Sequence, residues 1–198
     1  MLIVLADASG ELTVKNSRFL SEITRVNSPD EAREIWHSKK ETYDNGGHIV
    51  YAFITGPQGN IMGCSDDGEP SGTAGRPTLT VLKGAGATNI LLTTARWFGG
   101  TKLGTGGLVK AYTESAQLAL ANCTFTELVE EREMIFSVPY ALYEQCRRAA
   151  AGFDFKTADE IFSDTVMIRG TIRESDREKL QKILTDLSNG QIKFNGKK

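Results

Sequence analysis

No run of this sequence approaches the ~18 apolar residues that a membrane-spanning helix requires. The apolar start, Met1-Leu2-Ile3-Val4-Leu5, is too short for a signal peptide and lacks the basic region and cleavage site of one. Cysteine is scarce: Cys64, Cys123 and Cys146 lie far apart and are odd in number, which gives neither a disulfide framework nor a metal-ligand pair. That usage fits a reducing compartment, and the chain reads as cytoplasmic, with no membrane partner. With only His37 and His48 available, no Ser/His/Asp or Cys/His nucleophile set assembles. A charge excess of either sign is also missing. The net charge is −2, with 11 Lys/Arg against 13 Asp/Glu through Glu127 and 12 against 12 after it. No global basic field draws the chain to nucleic acid, so any RNA contact must come from a local patch.

What is present is an ordinary globular composition: 198 residues, 40% hydrophobic and 24% charged. A chain of this length buries about 70% of its unfolded surface and needs no disulfide or metal to hold it. The opening reads as a hairpin, with alternation over 11–14, a turn at Lys15-Asn16 and a second strand over 17–24. Ser28-Pro29-Asp30-Glu31 is a helix start: a Ser cap, Pro at the first helical position and acids in the first turn. Asn45-Gly46-Gly47 breaks the chain, His48 to Thr55 is a strand, and the turn residues of 56–60 lead into a short strand over 61–64. A helix is expected over Gly75 to Lys83, stopped by Gly84. A buried strand follows over Asn89 to Ala95, then a helix carrying Leu108, Tyr112, Ser115 and Ala119 at three- and four-residue spacing.

After an acidic, unpatterned stretch at Glu127 to Arg132, the second half reads strand, helix, strand, strand, helix, strand. Ser175-Asp176-Arg177-Glu178 looks like the capping box of its second helix. This order is the ferredoxin-like split βαβ. Two domains follow, 1–128 and 132–198, in an α+β chain.

Two loops carry the information about function. Residues 65–77, SDDGEPSGTAGRP, pack Asp66, Asp67, Glu69, Ser71, Thr73, Arg76 and three glycines behind Ser65. Glycines let a ligand or partner approach the backbone closely. Ser71 or Thr73 is a candidate cap for the next helix, whose N-terminus is then a candidate anion site. The other reading is a rigid turn whose acids satisfy the loop's own amides. The second loop follows Arg96 and holds Gly99, Gly100, Lys102, Gly104, Gly106 and Gly107 at a strand-to-helix junction. It is no P-loop, because Thr105 rather than Lys follows Gly104, and the dinucleotide pattern is absent too. No cofactor is therefore expected. Asp66 and Asp67 are read as solvated or capping acids rather than metal ligands. Trp97 and Phe98 are read as core residues rather than base-stacking ones.

The two segments SDDGEPSGTAGRP and RWFGGTKLGTGGLVKAY resemble the signature of the YigZ/IMPACT family. Lys15 to Leu20 and His48 before Tyr51-Ala52 support the likeness, which extends over nearly the whole chain. Three positions depart from it: Tyr43 to Gly47 lacks the family's usual Ala-Thr before His48, Trp97 replaces a usual Tyr, and Lys110 a usual Arg.

The resemblance implies an N-terminal two-layer α/β domain similar to domain IV of the elongation factor EF-G and a ferredoxin-like domain similar to its domain V. It also implies a non-catalytic, translation-associated regulator or binding protein that contacts RNA, the ribosome or a protein partner. Ser65, Asp66, Asp67, Glu69, Ser71, Thr73, Arg76, Arg96, Lys102, the loop glycines and His48 would form its composite surface. The alternative is an enzyme acting on a phosphorylated or otherwise anionic small molecule, possibly metal-assisted, with Lys102 and the glycine loop as anion cradle.

Overall fold

The computed structural model describes residues 1–43 and 47–195, so part of the expected break at 45–47 lies outside the described residues. The elements run β1 (Leu2–Ala6), β2 (Ala8–Val14), β3 (Ser17–Arg25), α1 (Pro29–Thr42), β4 (His48–Thr55), β5 (Ile61–Ser65), α2 (Gly75–Gly84), β6 (Ile90–Trp97), α3 (Gly104–Ala121) and β7 (Thr124–Glu127). They continue through β8 (Glu131–Val138), a 3-10 turn (Tyr140–Leu142), α4 (Tyr143–Ala151), β9 (Lys156–Phe162), β10 (Val166–Arg173), α5 (Glu174–Leu187) and β11 (Lys193–Phe194). The chain divides into two compact units, Met1–Leu128 and Val129–Lys198, and is a mixed α+β protein. Among the described residues no helix is long and apolar enough to cross a membrane.

The first unit is built on a five-stranded antiparallel sheet in the order β2-β3-β6-β4-β5. Successive strand residues alternate faces, so β3, β4 and β6 send Phe19, Ile23, Val50, Ala52, Ile54, Ile90 and Leu92 to one side. There they pack against α2 and α3 through Leu82, Leu108, Ala111, Tyr112, Ala116 and Ala119. This is the two-layer arrangement that the resemblance implies. The departure is α1, which lies on the opposite face, with Ala32 and Ile35 over Tyr51, Phe53 and Leu91. Its start follows the sequence signals: the Ser28 hydroxyl accepts the Glu31 N–H, and Pro29 opens the first turn. The β2–β3 turn places Lys15 at φ 46° and Asn16 at φ 64°.

Two further strands were not expected. β1 and β7 form a separate antiparallel pair in which Leu2 faces Glu127 and Val4 faces Phe125. The N-terminal apolar run is thus a strand, with Ile3 and Val4 buried.

The second unit is a four-stranded antiparallel sheet ordered β11-β8-β10-β9. With its helices this is the ferredoxin-like order. Met134, Phe136, Val138, Val166, Ile168 and Ile172 of the sheet pack on Cys146, Ala150, Leu180 and Leu184 of α4 and α5. Two sequence expectations need correction here. β8 begins at Glu131, inside the stretch read as unpatterned. The Ser175 capping box does not form either. α5 starts at Glu174 without a side-chain cap, and the Glu174 N–H donates instead to the Glu130 carbonyl at 2.8 Å.

Candidate functional site

The segments 65–76 and 96–107 come together on the α2–α3 side of the first sheet. Their joint is a buried ion pair: Arg96 Nη1 donates to Glu69 Oε1 at 2.6 Å. The same oxygen accepts the Tyr112 hydroxyl of α3 at 2.8 Å. Arg96 falls on this face because β6 alternates, with Ile90, Leu92 and Thr94 ahead of it on the same side. Ala74, Leu103 and Leu108 share one apolar cluster with Phe19, Val50 and Tyr112, which brings the starts of α2 and α3 side by side. Burial, followed by the Glu69 charge and its hydrogen bond, drives the Tyr112 hydroxyl far above its ordinary pKa. It therefore stays a donor.

The three acids of the first loop all turn inward. Asp66 accepts the N–H groups of Gly72 at 2.7 Å, Ala74 at 3.1 Å and Gly75 at 2.7 Å. Burial alone would raise its pKa. The three N–H bonds, with Arg76 nearby, outweigh that and hold it below the usual carboxylate range. Asp67 Oδ2 accepts the Ile49 N–H at 2.8 Å, and its Oδ1 takes the Lys40 ammonium at 2.5 Å. Glu69 is occupied by Arg96 and Tyr112. Of the two readings of this loop, the bonds made are those of the self-satisfying turn. The expectation that Ser71 or Thr73 caps α2 is thereby corrected. Neither hydroxyl reaches the helix start, and Thr73 donates to the Pro70 carbonyl at 2.6 Å instead. Asp66 fills that N-terminus from eight and nine residues upstream, so the anion site expected there holds the chain's own carboxylate.

The remaining candidates sort by exposure. Glu69, Thr73 and Arg96 are buried and brace the surface rather than line it, whereas Ser71, Arg76 and Lys102 are exposed. Ser65 accepts the Asp67 N–H at 3.2 Å. His48, at the start of β4, bonds through Nδ1 to the Asp67 carbonyl at 2.7 Å; a carbonyl only accepts, so Nδ1 carries the proton. In the second loop Gly99 is sterically required. A Cβ there would sit 2.0 Å from the Asn16 carbonyl carbon, and the Gly99 N–H donates to Ser17 Oγ at 3.1 Å. Gly100 and Gly104 hold φ 84° and 74°, where side chains are strained, while Gly106 faces open space and Gly107 lies close to Leu103. Phe98, expected in the core, is 61% exposed. Trp97 is half-buried beneath the Arg18 guanidinium, 4.7 Å from its ring centre.

Sequence reading missed Tyr112 as a polar partner, Lys40 as the counter-ion of Asp67, and the contact of the β2–β3 turn with Gly99. A buried acid demands donors, so the Tyr at a core position of α3 was the available signal for the first. Among the described residues no three His, Cys, Asp or Glu side chains cluster to hold a metal ion.

Comparison with known proteins agrees with this architecture. The Impact N-terminal domain matches residues 15–120, and the Domain of unknown function (DUF1949) matches residues 136–191. IMPACT family member YvyE of Bacillus subtilis (strain 168) is 32% identical over 181 residues, 91% of this chain and 83% of the relative. The chain belongs to the IMPACT family. Another IMPACT family member, YigZ of Escherichia coli (strain K12), is 29% identical over 183 residues, 91% of this chain and 90% of YigZ. A crystal structure of a hypothetical protein matches with a TM-score of 0.71 at 28% identity, over 100% of this chain and 97% of that one. Both information-rich loops lie within the Impact N-terminal match.

Proposed function

We propose that this IMPACT family protein is a non-catalytic, translation-associated regulator or binding protein. It acts in the cytoplasm through the joined surface of segments 65–76 and 96–107 and contacts RNA, the ribosome or a protein partner. Family membership supports the translational setting, because the resemblance to the IMPACT family implies a translation-associated role. The observation that carries the binding reading is the fate of the three loop carboxylates. Asp66, Asp67 and Glu69 are each committed to bonds within the unit, which leaves this loop no free carboxylate to serve as general base or metal ligand. The exposed side chains include cations and hydroxyls instead, Arg76, Lys102 and Ser71, together with the ring of Phe98.

Sedimentation with ribosomes across a salt series tests this. Association is expected at low salt and should fall as salt rises, because cations on the surface displace counterions. Arg76→Glu with Lys102→Glu should abolish it. Absence of the protein from the ribosomal pellet at every salt concentration would sink the reading.

A further inference from the structure

We infer that the β2–β3 turn and the Phe98–Lys102 loop together bind single-stranded RNA, with a base stacked on Phe98 and phosphates on Lys15, Lys102 and Arg76. This rests on the translational reading above, which makes the strand RNA. Phe98 is a large ring left 61% exposed, with the buried Arg96 guanidinium 5.8 Å from its centre. A ring fixed to the end of a strand and open to solvent is a stacking platform for a base.

The cations converge on it by construction. Gly99, next to Phe98, packs directly on the Asn16 backbone, so the turn carrying Lys15 and the loop carrying Phe98 are one surface. Val14, Leu103 and Ala74 join a single apolar cluster, and Lys15, Lys102 and Arg76 stand one or two residues from them. All three are exposed, and among the described residues none makes an ion pair. The acids of the neighbouring loop are turned inward: Glu69 pairs with Arg96 at 2.6 Å, Asp67 with Lys40 at 2.5 Å, and Asp66, beside Arg76, accepts the N–H groups of Gly72, Ala74 and Gly75. A chain with a net charge of −2 therefore shows a local surface that is cationic and aromatic. That chemistry fits a phosphate backbone with splayed bases better than an acidic or apolar protein face.

Fluorescence anisotropy with a labelled oligouridylate of about ten nucleotides, a length within known single-strand site sizes, tests the assignment. The logarithm of affinity should fall with the logarithm of salt at a slope of about −2, from three phosphates at about −0.7 each. Lys102→Ala should flatten that slope by about 0.7. Phe98→Ala should weaken binding about tenfold or more while Phe98→Tyr retains it, both with unchanged melting. Binding that ignores Phe98→Ala would overturn the proposal, as would equal binding of the matching DNA. If the intact protein pellets with ribosomes but binds no oligouridylate, the surface faces a protein and the strand assignment fails while the translational reading stands. If it binds the oligouridylate but never pellets with ribosomes, the strand site stands and the translational reading fails.

Discussion

The two units solve the packing problem differently. The second unit has an ordinary apolar core, in which Phe136, Val138, Ile168, Leu180 and Leu184 are buried and, among the described residues, Ser188 is the one buried polar side chain. The first unit buries hydroxyls and charges beside its apolar residues. Ser21 Oγ bonds to Thr94 Oγ1 at 2.8 Å and to Ser115 Oγ at 2.7 Å, linking β3, β6 and α3. One step along β6 from that chain lies the Arg96–Glu69–Tyr112 cluster. Thr55 Oγ1, Thr93 Oγ1 and Arg96 Nε are buried without a partner among the described residues, and all three belong to the first unit. Area burial holds the second unit. In the first, polar geometry fixes where the loops stand, at some cost in stability, because a buried pair seldom outperforms apolar packing.

The sharpest way to break this comparison is Arg96→Met, which keeps volume and strands Glu69 with Tyr112 alone. We expect a loss of about 3–5 kcal/mol in urea unfolding of the first unit. A loss below about 1 kcal/mol would mean that the pair is a bystander. Leu180→Ala is the matching test in the second unit. Cavity formation should cost about 2–5 kcal/mol there, with no change at the loop surface. Next comes Asp66→Ala, which removes the acceptor of three N–H groups at the start of α2. It should cost about 1–2 kcal/mol by the scale of helix caps.

Asp66 also supplies a pH test with a definite sign. Its folded pKa is depressed, so its contribution is fully present above the ordinary carboxylate value of about 4 and is lost as pH falls toward the folded value. Wild type should lose stability over that acid window, and Asp66→Asn should show a flatter limb in thermal melts. The smallest effect is expected at Arg169→Ala on the outer face of the second sheet. Its pair with Glu133 is half-exposed on both sides and should be worth less than about 1 kcal/mol in the same melts.

Much of the fold was legible because its signals are local. Alternation, the Lys15-Asn16 turn, the Ser28-Pro29 start and the apolar spacing of Leu108, Tyr112, Ser115 and Ala119 each specify their own element. What escaped was non-local. β1 pairs with β7 some 120 positions away, and neither short segment is distinctive without its partner. The cap of α2 comes from Asp66, beyond the reach of any capping pattern read along the chain. The meeting of Glu69 with Arg96 depends on face parity in β6, which the strand assignment implies but which a loop residue does not declare. Phe98 was read as core because large aromatics usually are. Only the crowding of Gly99 against Asn16 shows why the chain must turn outward there.

The β2–β3 turn has a consequence of its own. Both of its residues sit in left-handed backbone, which Asn-Gly satisfies most cheaply, yet the first of them is Lys15. A lysine in that conformation costs about 1 kcal/mol that asparagine or glycine would save. Swapping Lys15-Asn16 for Asn-Gly should therefore raise the melting temperature and, in the same step, remove a charge from the rim beside Phe98. A higher melting temperature with weaker oligouridylate binding in the anisotropy assay is the expected outcome of that swap.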